Sequence, residues 1–320
     1  MSQVARNRLI RGTSFLLFAL CLLGQASARG KSENLTVSAV QTSIDFSLYE
    51  SEGHFMETVQ SLANEASAGG RADLIVFPEY LDVFLSFIPY YQLFSDVDTI
   101  QEGFQAIAKA YPGVENIGDI IEREDGRVEA LMDSFWGRIA EQTDAVVVAG
   151  TYLDYDEASG GLYNTAVVYG EDGRRLYSQK KVFLTSFEVD LLGLSPGSLS
   201  AVELFGVDGK QVGLTICRDT FFEVFYPMLR DAQLWIDIKA NGEVFDKEQR
   251  ALFSRALPSR LIDVPVRYGL TVCLTGRYLD LFWQGESSFI GKIGPGIGVL
   301  RTSRTATEEE VLTLTLPYER

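Results

Sequence analysis

The sequence predicts an α/β fold with mixed sheets, because short apolar strands alternate with amphipathic helices along its whole length. Two further observations support this. Turn clusters such as Gly170-Glu171-Asp172-Gly173 and Val207-Asp208-Gly209 join neighbouring strands into hairpins. Apolar residues make up 46% of 320 residues, enough for a sizeable core in one large domain or two small ones.

Residues 35–43 (LTVSAVQTS) read as a first, β-branched strand, and 54–68 carry a helical pattern. Residues 73–77 form a short buried strand ending at Pro78-Glu79. In 130–143, Met132, Phe135, Trp136, Ile139 and Ala140 fall at helical spacing ahead of the strand 145–152. Hairpins follow over 162–169 with 175–183, and over 202–205 with 211–216. A helix is predicted directly after Cys217, then a strand over 234–238, a helix over 247–264 and a strand over 268–274. Strands at 287–290, 298–301 and 311–316 close the chain. Region 81–128 has no clear period. It opens on Phe84, Phe87, Tyr90, Tyr91 and Phe94, turns acidic, and is too long for an ordinary connection. It reads as an insertion that could form a lid, a surface excursion or a dimer contact.

The first 28 residues differ from the rest. Arg6, Arg8 and Arg11 precede a short apolar run over 14–23 and a small-x-small site at Ala26-Ser27-Ala28. This is the pattern of a cleaved secretory signal peptide, and the run is shorter than the roughly 20 residues a spanning helix needs. The expected product is a secreted or periplasmic domain, 29–320, with no membrane span. Its 25 basic against 44 acidic residues give a charge of −19, which opposes nucleic-acid and anionic-lipid partners.

The chain has one histidine, His54, at the start of a predicted surface helix. A histidine-rich zinc site is excluded by supply, and any nucleophile is expected to use a carboxylate as base. Three segments place reactive groups at strand ends. In Leu74-Ile75-Val76-Phe77-Pro78-Glu79, desolvation would raise the carboxylate toward the range of a general base, although an acid there is more often a solvated cap. Lys180 and Lys181 face opposite sides of a strand, so only one of them can point inward. Cys217 follows an apolar strand, where a neighbouring cation and a helix N-terminus would lower its pKa; an inert buried thiol is the blander reading, and Cys273 fits it.

Together these segments resemble the nitrilase superfamily, or carbon–nitrogen hydrolases, over about residues 35 to 301. The matching motifs are Phe77-Pro78-Glu79, Lys181-Val182-Phe183-Leu184-Thr185 and Cys217-Arg218-Asp219, in the family's order. Ala39-Val40-Gln41, Arg260 to Asp263 and Gly285-Glu286-Ser287 extend the match. Several positions depart from the pattern. Arg218 replaces an aromatic, Phe183 stands where a histidine is common, and Asp237 and Lys239 interrupt a strand that usually reads apolar.

The resemblance implies a four-layer α-β-β-α sandwich with two mixed sheets, a homodimer, and a small amide-like substrate handled without cofactor or metal. It implies Cys217 as nucleophile, Glu79 as general base and Lys181 as oxyanion donor. The Arg218 backbone N–H, Asp219 and Glu188 would support them. An amidase or carbamoyl-amide hydrolase outranks a nitrilase. An N-acyltransferase using the same thioester, and a non-catalytic binding protein on the same fold, are the alternatives.

Overall fold

The computed structural model describes residues 33–68 and 72–318; the expected signal peptide lies outside them. The chain opens with β1 (Asn34–Gln41) and the short β2 (Ser43–Ile44). Helix α1 (Glu52–Ala68) leads to β3 (Leu74–Val76), which ends just ahead of Pro78. A 3-10 helix (Val83–Tyr90) follows, then α2 (Tyr91–Phe94), α3 (Ile100–Ala110) and α4 (Ile117–Thr143). Strands β4 (Val146–Asp156), β5 (Gly161–Tyr169) and β6 (Arg175–Lys180) form a meander.

The second half begins with the hairpin β7 (Phe205–Val207) and β8 (Lys210–Ile216). It continues through α5 (Tyr226–Leu229), β9 (Leu234–Lys239), α6 (Lys247–Ser254), α7 (Leu257–Asp263) and β10 (Tyr268–Cys273). Strands β11 (Thr275–Tyr278), β12 (Leu281–Trp283), β13 (Ser288–Ile293), β14 (Gly296–Thr302) and β15 (Glu310–Pro317) complete it.

One sheet has the order β15-β1-β3-β4-β5-β6 and the other β14-β13-β10-β9-β8-β7, with β12-β11-β2 as a small third sheet. Both large sheets are mixed. Strands β1, β3 and β4 run parallel, as do β8, β9 and β10, and the outer strands are antiparallel. Strand alternation creates the layers. Val37, Ala39, Leu74, Val76 and Val148 of one sheet pack against Leu214, Ile216, Ile236, Ile238 and Leu270 of the other. The opposite face of the first sheet, including Val40, Ile75 and Val147, meets α1 and α4. The opposite face of the second, including Trp235, meets α5 and α7 through Leu229, Leu257 and Leu261. This is the expected α-β-β-α sandwich.

Several elements differ from expectation. Segment 81–128 is largely helical, and α4 starts at Ile117 rather than near residue 130. Reciprocal capping boxes, Thr99 with Glu102 and Asn116 with Asp119, start α3 and α4. The predicted helix over 247–264 is two helices, because Pro258 near the start of α7 has no N–H to continue the first. No long helix follows Cys217: two short 3-10 turns lead into the four-residue α5. Among the described residues, no helix is long and apolar enough to cross a membrane.

Candidate active site

The parallel strands β3, β8, β9 and β10, with β6 parallel to β4, end on one side of the molecule, where α/β sites gather. Glu79 follows β3, Lys181 follows β6, and Cys217 follows β8. The Pro78-Glu79 turn is fixed by its neighbour β4. Phe77 N–H donates to Val148 O at 2.9 Å and Tyr80 N–H to Thr151 Oγ1 at 2.9 Å. Between those two partners β4 shifts register at Gly150, whose φ is +95°. A Cβ there would lie 2.3 Å from the Pro78 carbonyl oxygen, so the close approach requires glycine.

Glu79 and Lys181 are buried and paired, with Lys181 Nζ 2.8 Å from Glu79 Oε1. The same ammonium lies 2.8 Å from Glu188 Oε1. Asn164 Nδ2 donates to Glu79 at 3.0 Å and to Glu188 at 2.9 Å, and the Tyr80 hydroxyl donates to Glu188 at 2.8 Å. The Thr185 N–H and hydroxyl hold the other Glu188 oxygen, and the Ala240 N–H donates to Glu79 Oε2 at 2.8 Å. Each buried charge therefore has a partner, the condition under which burial is tolerated. Lys180, the neighbouring lysine, turns outward to Asp156 at 2.7 Å.

Cys217 sits at the β8 end with φ +51°, in the left-handed region that non-glycine residues seldom occupy. It is free and partly open to solvent. Asp219 anchors the adjoining loop, its Oδ1 accepting from Phe183 N–H at 2.7 Å and Val182 N–H at 3.2 Å. The Arg218 side chain turns away and donates to the Leu184 carbonyl. Cys217, Lys181, Tyr80, Thr185 and Phe187 share a cavity of about 440 Å³ with Ala240, Asn241, Glu243, Asp280 and the aromatic wall of Phe282 and Trp283. No residue of 81–128 lines that cavity among the described residues. The segment packs behind its wall, with Phe84 5.8 Å from the Trp283 ring and Ile100 N–H bonded to Asp280.

The electrostatics follow from burial. Burial raises the Glu79 carboxyl, against the opposing pull of Lys181. It also opposes the Lys181 charge, but Glu79, Cys217 and Glu188 prevail and hold the ammonium firmly protonated. Glu188 is held below the ordinary carboxylate range: burial works against this, and Lys181 and its hydrogen bonds outweigh it. The Cys217 thiol is pushed up to about 12 by burial, with Glu79 adding to the shift. This corrects the expectation of a lowered thiol pKa. The helix N-terminus is missing, and the neighbouring cations Lys181 and Lys239 do not overcome desolvation.

The structure brings Glu79, Lys181, Glu188 and Cys217 to one site, with Asp219 bracing the strand end beside it. Sequence reasoning misses Asn164, Tyr80 and the Ala240 N–H as members of the cluster, whereas Thr185 stands in the motif that starts at Lys181. A lone Asn inside the apolar strand Leu162-Tyr163-Asn164-Thr165-Ala166-Val167 was the one available signal. Among the described residues, no group of His, Cys, Asp and Glu is arranged to hold a metal ion.

Comparison with known proteins bears on the fold and the family. The chain is 34% identical over 93 residues to the omega-amidase NIT2 of Bos taurus, covering 26% of this chain and 32% of that protein. It is 30% identical over 99 residues to the omega-amidase NIT3 of Saccharomyces cerevisiae, covering 28% and 32%. The chain thus spans about a third of the length of the curated relatives it matches. The crystal structure of Saccharomyces cerevisiae Nit3 shares the fold at TM-score 0.61 and 20% identity, over 89% of this chain and 91% of that one. A carbon-nitrogen hydrolase from Helicobacter pylori does so at TM-score 0.64 and 18% identity, over 89% and 90%. The carbon-nitrogen hydrolase family model matches residues 36–256, most of the chain, and the chain belongs to that family.

Proposed function

We propose that the protein hydrolyses the C–N bond of a small amide or carbamoyl amide through a thioester on Cys217. One observation carries this reading: the Lys181 ammonium, paired with the buried Glu79 carboxylate, lines the cavity onto which the Cys217 residue opens. Glu79 takes the thiol proton and the sulfur attacks the carbonyl carbon. The developing oxyanion is held by the Lys181 ammonium and the Arg218 N–H, a contribution of roughly 2.7–4 kcal/mol for a donor of this kind. The C–N bond breaks as Glu79 passes its proton to the leaving nitrogen. Water then attacks the thioester and gives a proton to Glu79. The acid departs, and the thiol recovers that proton. Because burial holds the resting thiol protonated beside the Lys181-paired Glu79 carboxylate, whose proton affinity burial also raises, proton transfer to Glu79 is coupled to substrate arrival, and no standing thiolate is needed. Glu188, bonded on both oxygens, orients Lys181 rather than substrate.

The cavity wall narrows the substrate. Glu243 and Asp280 line it, and its one lysine, Lys181, is already paired twice. A substrate carboxylate would find no free cation there, so neutral or cationic amides are preferred over carboxylate-bearing ones. The test is a panel of amides, carbamoyl amides and nitriles, read by ammonia release and by the intact mass of a trapped acyl adduct. Ammonia release with no adduct on Cys217 would sink the thioester, and a carboxylate-bearing amide as best substrate would sink the charge argument. Added hydroxylamine, captured as hydroxamate in preference to water, would favour the acyltransferase reading. Export as a secreted or periplasmic homodimer belongs to the same proposal, resting on the arginine-rich, apolar start of the sequence and on family habit.

A further inference from the structure

Behind the nucleophile lies a second buried ion pair that this reading does not use. Lys239 and Asp237, two residues apart on β9, point to the same face of the sheet, toward the outer helices. Both are essentially buried, and Lys239 Nζ lies 2.9 Å from Asp237 Oδ2. The ammonium also donates to the Cys217 carbonyl oxygen at 3.1 Å. It is flanked by the rings of Phe221 and Phe253, each 5.2 Å from its nitrogen. Register explains the contact. Ile216 pairs with Ile238, so the residue that follows β8 comes beside Lys239.

Such a pair is expensive to bury, and an apolar pair of similar size would serve packing at least as well. Its geometry suggests what offsets the cost. Cys217 has φ +51°, and its carbonyl turns back toward β9 rather than along a helix, so the Lys239 bond satisfies it. Lys239 does not line the cavity, so it reaches substrate only through Cys217.

We propose that Lys239, held in place by Asp237, is a positioning residue for the nucleophile: it pins the left-handed Cys217 backbone and sets a second positive charge beside the sulfur. The inference rests on the reading of Cys217 as nucleophile. The groups facing the thiol are Glu79 and Tyr80 after β3, Lys181 after β6, Asp237 and Lys239 on β9, and Cys273 on β10. Three of these are carboxylates or a tyrosine, which oppose a thiolate, and two are lysines, which favour it. Removing Lys239 leaves Lys181 as the only cation in that set, and Lys181 already serves Glu79 and Glu188.

The test is the rate at which iodoacetamide alkylates Cys217, followed by peptide mass against pH, beside kcat and KM on the best amide. Lys239→Met is expected to slow alkylation at pH 7 about 10-fold and to displace the rate–pH profile upward by about one unit. The same variant should lower kcat by a similar factor and leave KM unchanged. If that substitution unfolds the protein, Lys239→Gln, which removes the charge but keeps an amide donor for the Cys217 carbonyl, tests the same displacement of the profile. Wild-type alkylation and an undisplaced profile in whichever variant folds would overturn the inference. Cys217→Ala separates the two levels. An active Cys217→Ala defeats the nucleophile reading itself, whereas an inactive one beside an unperturbed Lys239→Met defeats only the role of Lys239.

Discussion

Two cysteines on one sheet make an instructive pair. Cys217 follows β8 and Cys273 ends β10, with β9 between them and Lys239 adjacent to both. Burial pushes both thiols well above the ordinary range, so acidity does not distinguish them. Position does. Cys217 lies past the strand end, in a left-handed turn opening on the cavity. Cys273 lies within β10 beside Lys239 of β9, its N–H donates to Ser287 Oγ at 2.9 Å, and it is fully buried. What sets a candidate nucleophile apart in this sheet is access and company at the strand edge.

The comparison can be broken in four ways, starting with the largest effect. Cys217→Ala should abolish turnover with the fold intact by circular dichroism, whereas Cys273→Ala should leave turnover near wild type. Lys181→Ala should lower kcat on the order of 100–1,000-fold. It should also destabilise the protein measurably in urea, because Glu79 and Glu188 lose their shared cation. Cys273→Ala should cost about 1 kcal/mol, as a small buried hydrophobe would. Of these two thiols, alkylation of the native protein should mark Cys217, and equal labelling of Cys273 would remove the distinction drawn above.

The smallest effect is a pH dependence of stability. Burial raises Asp219 to about 7 and Asp237 to about 6. Their folded values exceed the unfolded carboxylate value near 3.9. The native state therefore holds more protons than the unfolded chain in this window, and stability falls as pH rises from about 4 to 7. Asp219→Asn should flatten that fall in urea titrations. The variant can keep both backbone bonds, since Phe183 and Val182 both reach Oδ1.

Much of the fold was legible because its cues are local. Apolar runs ending at Pro78 and Cys217 placed two strand ends, and alternation let only one of Lys180 and Lys181 face inward, the family motif choosing Lys181; β6 itself ends at Lys180, short of the expected residue 183. The helices of 81–128 were hidden for a physical reason. The first turn of α4 carries Ile117, Ile120 and Ile121 at helical spacing, but the polar run from Glu122 to Arg127 separates them from Val128 and the apolar stripe that follows. At the site, Glu79, Lys181, Glu188 and Cys217 could be picked out because their motifs are sequential. Asn164 and the Ala240 N–H could not, because their part depends on how distant strands meet. The Cys217 pKa was misjudged because desolvation is a property of the assembled pocket.

Gly150 has no side chain and does not line the cavity, yet the Pro78 turn rests directly on its backbone. A single methyl at that position would have to push the carboxylate-bearing turn aside or bend the strand under it. Engineering that surveys only the visible walls of the cavity would therefore pass over one of the least replaceable atoms beneath the candidate site, a hydrogen.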